Sequence, residues 1–263
     1  RRFTDHRCRT TAHLFLGSSH MSLLRMFFIT LILFTALLTE AARADLVAKA
    51  REMLQRHGSP SSPTVAVVTD NTGDQSLHGR LGGTRNVKIA IPGVLYWGGR
   101  EYPHKGFDQR RPLTERALKN LCSEGFSEAI YLYSMNWGEG RPVVQCDGAN
   151  LIRYSWRNVW QPQNIEPAMR KIADVINGNG SVGPLYVHCW NGLHASNMLA
   201  SLALRQFCNW SADKAWSHWQ INAKGTHQAQ TASMRAMITG FQPRPLNEYL
   251  NETGVAVISQ ICF

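Results

Sequence analysis

The stretch PLYVHCWNGLHASNMLASLAL, residues 184–204, decides the fold of this chain of 263 residues. Residues 184–188 are mostly apolar and aromatic, which is typical of a buried strand, and residues 196–208 have the apolar character of a buried helix. Between them a short loop bends at Gly192. A strand that enters a helix through such a loop predicts an anion-binding site, because the loop N–H groups and the helix N-terminus carry partial positive charge.

The loop also contains a nucleophile in the position that this charge favours. Cys189 is its first residue, and positive potential of this kind stabilises a thiolate over a thiol. Ser196 lies near the helix start, where its hydroxyl would hold the thiolate or assist its departure, and His188 would hydrogen-bond to its surroundings. We assign catalytic roles to these three residues. The predicted phosphate-binding loop comprises Trp190, Asn191, Gly192, Leu193, His194 and Ala195.

The order of strands and helices predicts an α/β fold with a central mixed or parallel sheet, flanked by helices that cluster at the C-terminal end. The strands are expected at 63–70, twice within 86–103, and at 129–134, 150–156 and 184–188. The helices are expected at 45–57, 114–123, 165–176, 196–208, 211–222 and 228–239, with a short helix near residue 246.

Residues 184–204 resemble the signature of the protein tyrosine and dual-specificity phosphatase superfamily, a His-Cys pair with Gly three residues after the Cys. The stretch NVKIAIPGVLYWGGRE, residues 86–101, is similar to the opening segment of that superfamily. The resemblance covers roughly residues 86–240. It implies a phosphatase-like domain over 86–263, with Cys189 attacking a phosphoester to give a phospho-cysteine intermediate.

The first departure from the superfamily pattern is Ala195, which stands where the family has an Arg that binds two phosphate oxygens. Bidentate guanidinium contacts are among the stronger hydrogen bonds, so their loss predicts weak or atypical activity. Residues 190–196 contain no Lys or Arg, and His194 is the candidate cation within them. Outside the loop we favour Arg157 as the substitute cation. Other candidates are Arg100, Arg153 and Arg235.

The second departure concerns the general acid, which the family supplies as an Asp in the loop after the strand at 150–156. No Asp lies between Leu151 and Ala173 in this chain. Glu166 is the acid in that stretch, and its place at a helix start is explained by capping. Asp147 precedes the strand and would need an unusual path to the site. Without an acid, a poor leaving group departs slowly.

Three functions therefore stay open. The domain is a weak or altered cysteine phosphatase, a pseudophosphatase that binds an anionic ligand or partner without turnover, or a protein with rhodanese-like sulfur or redox chemistry at Cys189. Tryptophans that would line a cleft or pack in the core are Trp137, Trp156, Trp160, Trp190, Trp216 and Trp219.

The N-terminal region predicts export. Residues 21–44 combine Arg25, an apolar run at 26–38 and the small-residue pattern Ala42-Arg43-Ala44, the layout of a secretory signal peptide. The apolar run is short for a bilayer span, so we expect no stable anchor after cleavage, and a periplasmic or secreted protein. Residues 1–20 are interpreted as an overextended gene start, and 45–85 as an N-terminal extension.

Cysteines and charge complete the expectations. Residues 45–263 contain five cysteines, of which Cys122–Cys146 and Cys208–Cys262 are the most local pairs, although buried free thiols remain an alternative. The formal charge is +10, and +6 without residues 1–44, which suits an anionic ligand. The sequence has no dense cluster of Lys and Arg interleaved with aromatic residues, so we expect no nucleic-acid binding. We expect no cofactor and no metal, and the sequence does not indicate an oligomeric state.

Overall fold

The computed structural model places the motif loop near the middle of a six-stranded sheet. It describes residues 26–34, 37, 40–41, 44–45, 47–48, 52, 81, 84–101, 111–146, 148, 150–179, 183–223 and 228–262. The strands are β1 Lys88–Ile91, β2 Leu95–Gly98, β3 Glu128–Tyr131, β4 Val143–Gln145, β5 Leu151–Trp156 and β6 Leu185–His188. The helices after residue 84 are α1 Glu115–Ser123, α2 Ile165–Ile176, α3 Ala195–Phe207, α4 Ala212–Ala223, α5 Gln228–Gly240 and α6 Glu252–Ile261.

The sheet is mixed, with the order β1-β2-β6-β3-β5-β4. The pairs β2–β6, β6–β3 and β3–β5 are parallel, whereas β1 and β4 are antiparallel to their neighbours at the two edges. β6 lies between β2 and β3, so the loop that follows it emerges at the carboxyl ends of the parallel strands. Ligands of open α/β sheets bind at this edge. The predicted fold class is confirmed.

Two hydrophobic layers sandwich the sheet, and successive residues of β6 point into different layers. Leu185 and Val187 belong to the larger layer, which contains residues of the helices from α2 to α6. Tyr186 belongs to the smaller layer with residues of α1. All three side chains are fully buried. Because both faces of the strand are covered, β6 reads in sequence as a continuous apolar run rather than an alternating one.

Most expected elements after residue 86 are present, with shifted ends. The strand expected at 129–134 ends at Tyr131, and the helix expected to begin at 196 begins at Ala195. The strand β4 lies inside a stretch that we interpreted as a loop, residues 135–149. It is three residues long and has one buried side chain, so its pattern gives little signal. The strand expected at 63–70 lies outside the described residues, as does most of the helix expected at 45–57.

The N-terminal unit of the chain ends at Ala41 and is described mainly by its apolar helix at residues 26–34. Its large apolar side chains are 47–69% exposed. Among the described residues, no helix combines the length and the apolar character needed to cross a bilayer.

Both expected disulfides are present. Cys122–Cys146 joins the end of α1 to the residue after β4, and Cys208–Cys262 joins the end of α3 to the end of α6. Cys189 is the free cysteine of the described residues and is buried.

We predict that loss of the Cys208–Cys262 disulfide costs more stability than loss of Cys122–Cys146. The bonds close stretches of 54 and 24 residues, and loop-closure entropy gives about 4 and about 3.5 kcal/mol for such lengths. Urea unfolding of the two Cys→Ser double variants measures both free energies. Equal or reversed losses would contradict a mainly entropic contribution.

Candidate active site

Cys189 and Ser196 meet at the base of the loop, as the sequence predicts. Cys189 Sγ lies 3.3 Å from Ser196 Oγ, and Ser196 Oγ donates to the carbonyl of Gly98 at 2.9 Å. A carbonyl accepts only, so the single hydroxyl hydrogen of Ser196 is used there and the thiol donates to Ser196 Oγ. After ionisation the hydroxyl can turn towards the sulfur. Cys189 is 3% exposed and Ser196 is fully buried.

Four carbonyls of the loop are held by donors outside it. Cys189 O accepts from His188 Nδ1 at 3.2 Å, and Trp190 O accepts from Arg100 N at 3.1 Å. Leu193 O accepts from Asn197 Nδ2, and His194 O from Trp219 Nε1, both at 3.3 Å. In a trans peptide the C=O and N–H groups point in opposite directions. The N–H groups of residues 190, 191, 194 and 195 therefore point away from these donors.

The N-terminus of α3 adds further donors. The helix begins at Ala195, and its N-cap residue, His194, makes no side-chain capping hydrogen bond. The first N–H groups of a helix have no intrahelical partner. Together with the loop, this helix end provides the arrangement that binds anions in many proteins.

Gly192 is required by the close approach of two backbones. Its φ is +73°, and a Cβ at this position would lie 2.5 Å from Gly99 N and 2.6 Å from the carbonyl carbon of Gly98. The left-handed conformation and the contact each exclude a side chain. The glycine of the motif therefore both bends the loop and seats it against the end of β2.

Two residues that precede β1, neither of them predicted from the sequence, support the loop. Arg85 Nη2 donates to Trp190 O at 2.9 Å and to Asn191 Oδ1 at 2.7 Å. Asn86 Nδ2 donates to Asn191 O at 2.7 Å. Arg85 is 3% exposed and Asn86 1%. They lie some 105 residues before the loop, and no local pattern distinguishes a buried Arg-Asn pair from a surface one.

His188 is a buried neutral residue that positions the loop. Burial lowers its pKa to about 3, against a smaller opposing effect of its hydrogen bond to Cys189 O. Nδ1 donates to that carbonyl, so Nε2 accepts from Tyr154 Oη at 2.7 Å. The imidazole stacks among Tyr131, Tyr154 and Tyr186. It does not lie where a proton could be exchanged with solvent.

Aromatic side chains form one wall beside the loop. Trp190 stacks on Tyr133 with ring centroids 4.7 Å apart, and its Nε1 donates to Tyr131 Oη at 3.1 Å. Trp160 hydrogen-bonds to Tyr133, whose pKa is raised by burial and by the nearby Cys189 sulfur. Of the expected cleft tryptophans, Trp190 and Trp160 therefore lie at this wall, whereas Trp137 packs against Tyr154.

Ala195 is fully buried in the larger hydrophobic layer, and of the candidate substitute cations Arg100 lies next to the loop, where its backbone N–H donates to Trp190 O. Arg157, the favoured one, is half-buried, and its Nη1 donates to the adjacent Trp156 O at 2.7 Å. Arg235 lies over the ring of Trp216 on α4. Arg100 is paired with Glu101 at 3.6 Å, and Arg153 is exposed on β5.

The stretch after β5 presents no carboxyl group to the loop. Residues 157–164 contain amides and aromatics but no acid. Glu166 pairs with Arg170 at 2.8 Å and accepts from Tyr249 Oη, so its carboxylate is committed to the contact between α2 and the residues before α6. Asp147 lies outside the described residues. The described residues contain no cluster of side chains suited to a metal ion.

Comparisons with known proteins give similar solved structures only. No family model and no curated protein matches the chain. PTP-2 phosphatase from Cydia pomonella is 12% identical over 56% of this chain and 84% of its own, with a TM-score of 0.35. P. aeruginosa TpbA is 12% identical over 65% and 89%, with a TM-score of 0.41. The human tyrosine phosphatase-like serine/threonine/tyrosine-interacting protein is 14% identical over 57% and 93%, with a TM-score of 0.35.

We predict that Gly192→Ala lowers stability by about 2 kcal/mol or more, through the left-handed φ and the contact with the end of β2. Gly240→Ala is the matched control, because a Cβ there meets nothing within 4 Å. We expect the control to stay within about 0.5 kcal/mol of the parent. Urea unfolding gives both values, and equal losses would contradict the close approach.

A second prediction concerns acid stability. Burial lowers the pKa of His188 to about 3 and that of His218 to about 4, whereas an unfolded His titrates near ~6.5. Below pH ~6.5 the unfolded state binds more protons than the folded state. The free energy of unfolding is therefore highest above this pH and decreases as the pH falls towards the pKa values of the folded state.

Each histidine should contribute a slope approaching about 1.4 kcal/mol per pH unit below pH ~6. Urea unfolding between pH 7 and pH 5 measures the combined slope. His218→Gln should remove about half of it. A stability that does not change with pH over this interval would contradict burial of both rings in the neutral form.

Proposed function

We propose that this chain is a weak cysteine-dependent phosphoester hydrolase that forms a phospho-cysteine intermediate on Cys189. The observation that carries the proposal is the contact of Cys189 Sγ with Ser196 Oγ at the base of a loop whose carbonyls are held outward. A thiol with an adjacent hydroxyl and nearby loop N–H groups has the parts that nucleophilic attack on a phosphoryl group requires.

In the first step the Cys189 thiolate attacks phosphorus and the ester P–O bond breaks. The N–H groups of residues 190, 191, 194 and 195 stabilise the charge on the non-bridging oxygens. No acid in residues 157–164 supplies a proton to the leaving oxygen. Esters whose leaving group is stable as an anion, such as aryloxides, are therefore the substrates that react.

In the second step water attacks phosphorus, the S–P bond breaks, and inorganic phosphate is released. The sulfur leaves as a thiolate, and Ser196 is the hydroxyl next to it, at 3.3 Å. By turning its hydrogen from Gly98 O to the sulfur, Ser196 stabilises the departing anion. Trp190 and Tyr133 provide an aromatic surface at the side of the site for the organic part of the ester.

Ala195 is the reason why we expect hydrolysis to be slow. Removal of a donor that stabilises transition-state charge typically costs roughly 10²–10³ in rate, and Ala195 offers a methyl group where the phosphatase superfamily has a guanidinium. This is the specific observation that favours a second candidate function. In that case the domain is a pseudophosphatase, which binds a phosphorylated or other anionic partner and does not turn it over.

Export is part of the proposal. The apolar helix at residues 26–34 and the two disulfides support a chain that enters an oxidising compartment, periplasmic or extracellular. N-terminal sequencing of the protein from the culture or periplasmic fraction tests cleavage before Asp45. Protein recovered in the cytosol with residues 21–44 attached would contradict it.

Hydrolysis of p-nitrophenyl phosphate tests the proposed reaction. We expect slow turnover by the parent, none by Cys189→Ser, and a gain of roughly 10²-fold in Ala195→Arg, since a guanidinium can then bind the phosphoryl oxygens. Arg116→Gln, on the exposed face of α1, is the control and should match the parent.

The same assay separates the alternatives. Turnover that survives in Cys189→Ser would rule out the covalent route. Phosphate binding without turnover in the parent, with turnover gained in Ala195→Arg, identifies the pseudophosphatase. A persulfide on Cys189 after treatment with thiosulfate, with no hydrolysis, would replace both with sulfur transfer.

A further inference from the structure

Arg85 is a buried cation attached to the segment that faces the loop. Its N–H donates to Arg100 O at 3.3 Å, and its carbonyl accepts from Gly99 N at 2.7 Å. These bonds fix its main chain beside the end of β2. From there its side chain donates to Trp190 O and Asn191 Oδ1. The whole residue is 3% exposed.

Tyr186 is a fully buried residue that contacts the segment next to Arg85. Its hydroxyl donates to Gly99 O at 2.6 Å. Burial is the main cause that raises the pKa of Tyr186; the hydrogen bond with Thr84 lowers it, Cys189 and Glu101 raise it further, and Arg85 lowers it. Charges interact more strongly in such an interior than in water, and an arginine stays protonated at all working pH values.

We infer that Arg85 is the positioning residue that supplies, from behind the loop, the positive charge absent from position 195. It binds the carbonyl side of the loop and not the phosphoryl group, and so acts through Trp190 and Asn191. Together with Arg100 N it holds Trp190 O, and so directs the Asn191 N–H to the opposite side of that peptide. The inference rests on the proposed function of Cys189 and the loop.

The geometry favours Arg85 over Arg157 for this role. The Arg157 guanidinium donates to Trp156 O, the carbonyl of its own neighbour in the chain. Arg85 instead makes two bonds to the loop across 105 and 106 residues of sequence. Its position is set by tertiary structure, and the bonds it makes are to the residues that follow Cys189.

The test uses two probes that require no turnover, so that a protein without hydrolase activity still gives a result. The first probe is the pH dependence of iodoacetamide alkylation at Cys189, measured on its peptide by mass spectrometry. The second is the Kd of inorganic phosphate, measured by titration calorimetry. The variants are Arg85→Gln, Arg85→Lys and Asn86→Ala, with Arg116→Gln as the control.

We expect Arg85→Gln to raise the alkylation midpoint by about 0.5–1 pH unit and to weaken phosphate binding by about 3–10-fold, since it loses the charge. Arg85→Lys keeps the charge but not the planar fork, so its midpoint stays within about 0.3 pH unit while phosphate binding weakens. Asn86→Ala loosens the loop without changing charge, so we expect its midpoint to rise less than that of Arg85→Gln.

A folded Arg85→Gln with the parent's midpoint and phosphate Kd overturns the inference. Circular dichroism and thermal melting establish folding. If Arg85→Gln does not fold, Arg85→Lys decides, and a Lys variant that matches the parent in phosphate binding also overturns it. A parent that binds phosphate but hydrolyses no ester refutes the proposed hydrolase and leaves the role of Arg85 standing.

Discussion

The hydrogen bonds that bind the carbonyl groups of residues 189, 190, 193 and 194 to donors outside the loop are the interaction on which the rest of the site depends. Once these oxygens are bound, planar trans peptides turn the following N–H groups the other way. A short loop has no repeating backbone hydrogen bonds of its own, so its shape comes from partners outside it, both in the flanking strand and helix and in distant segments. His188 on β6 and Asn197 on α3 supply the near partners, and Arg85 before β1, Arg100 after β2 and Trp219 on α4 supply the distant ones.

The buried His188 illustrates how the same constraint shapes chemistry. An imidazole in a wholly apolar layer would lose its hydrogen bonds, but here Tyr154 and the carbonyl of Cys189 satisfy both nitrogens. Its neutral form is therefore the stable one, as the direction of its pKa shift shows. His188 acts on Cys189 through geometry and not through proton transfer, which refines the catalytic role that the sequence suggested.

The charge of the site is arranged differently from the pattern that the motif implies. A methyl group at Ala195 packs in the larger hydrophobic layer, and the helix begins at that residue. Positive potential then comes from the helix end, from loop N–H groups and from Arg85 behind the loop. In the proposed function such an arrangement would bind an anion, but it follows the charge of a transition state less closely than a mobile guanidinium at the phosphoryl group.

The sequence by itself determined the fold class and the strand–loop–helix unit and predicted that Ser196 lies near Cys189, whereas it left the pairing of the four other cysteines open. These follow from local patterns, because apolar runs, a glycine at a bend and residues seven apart around one loop are constrained by short-range geometry. Only the tertiary structure decided that Arg85 and Asn86 support the loop, that His188 is enclosed by three tyrosines, and that Arg157 donates to Trp156 O. Each of these depends on which distant segments meet at the sheet edge, and side-chain identity in one segment does not encode that pairing.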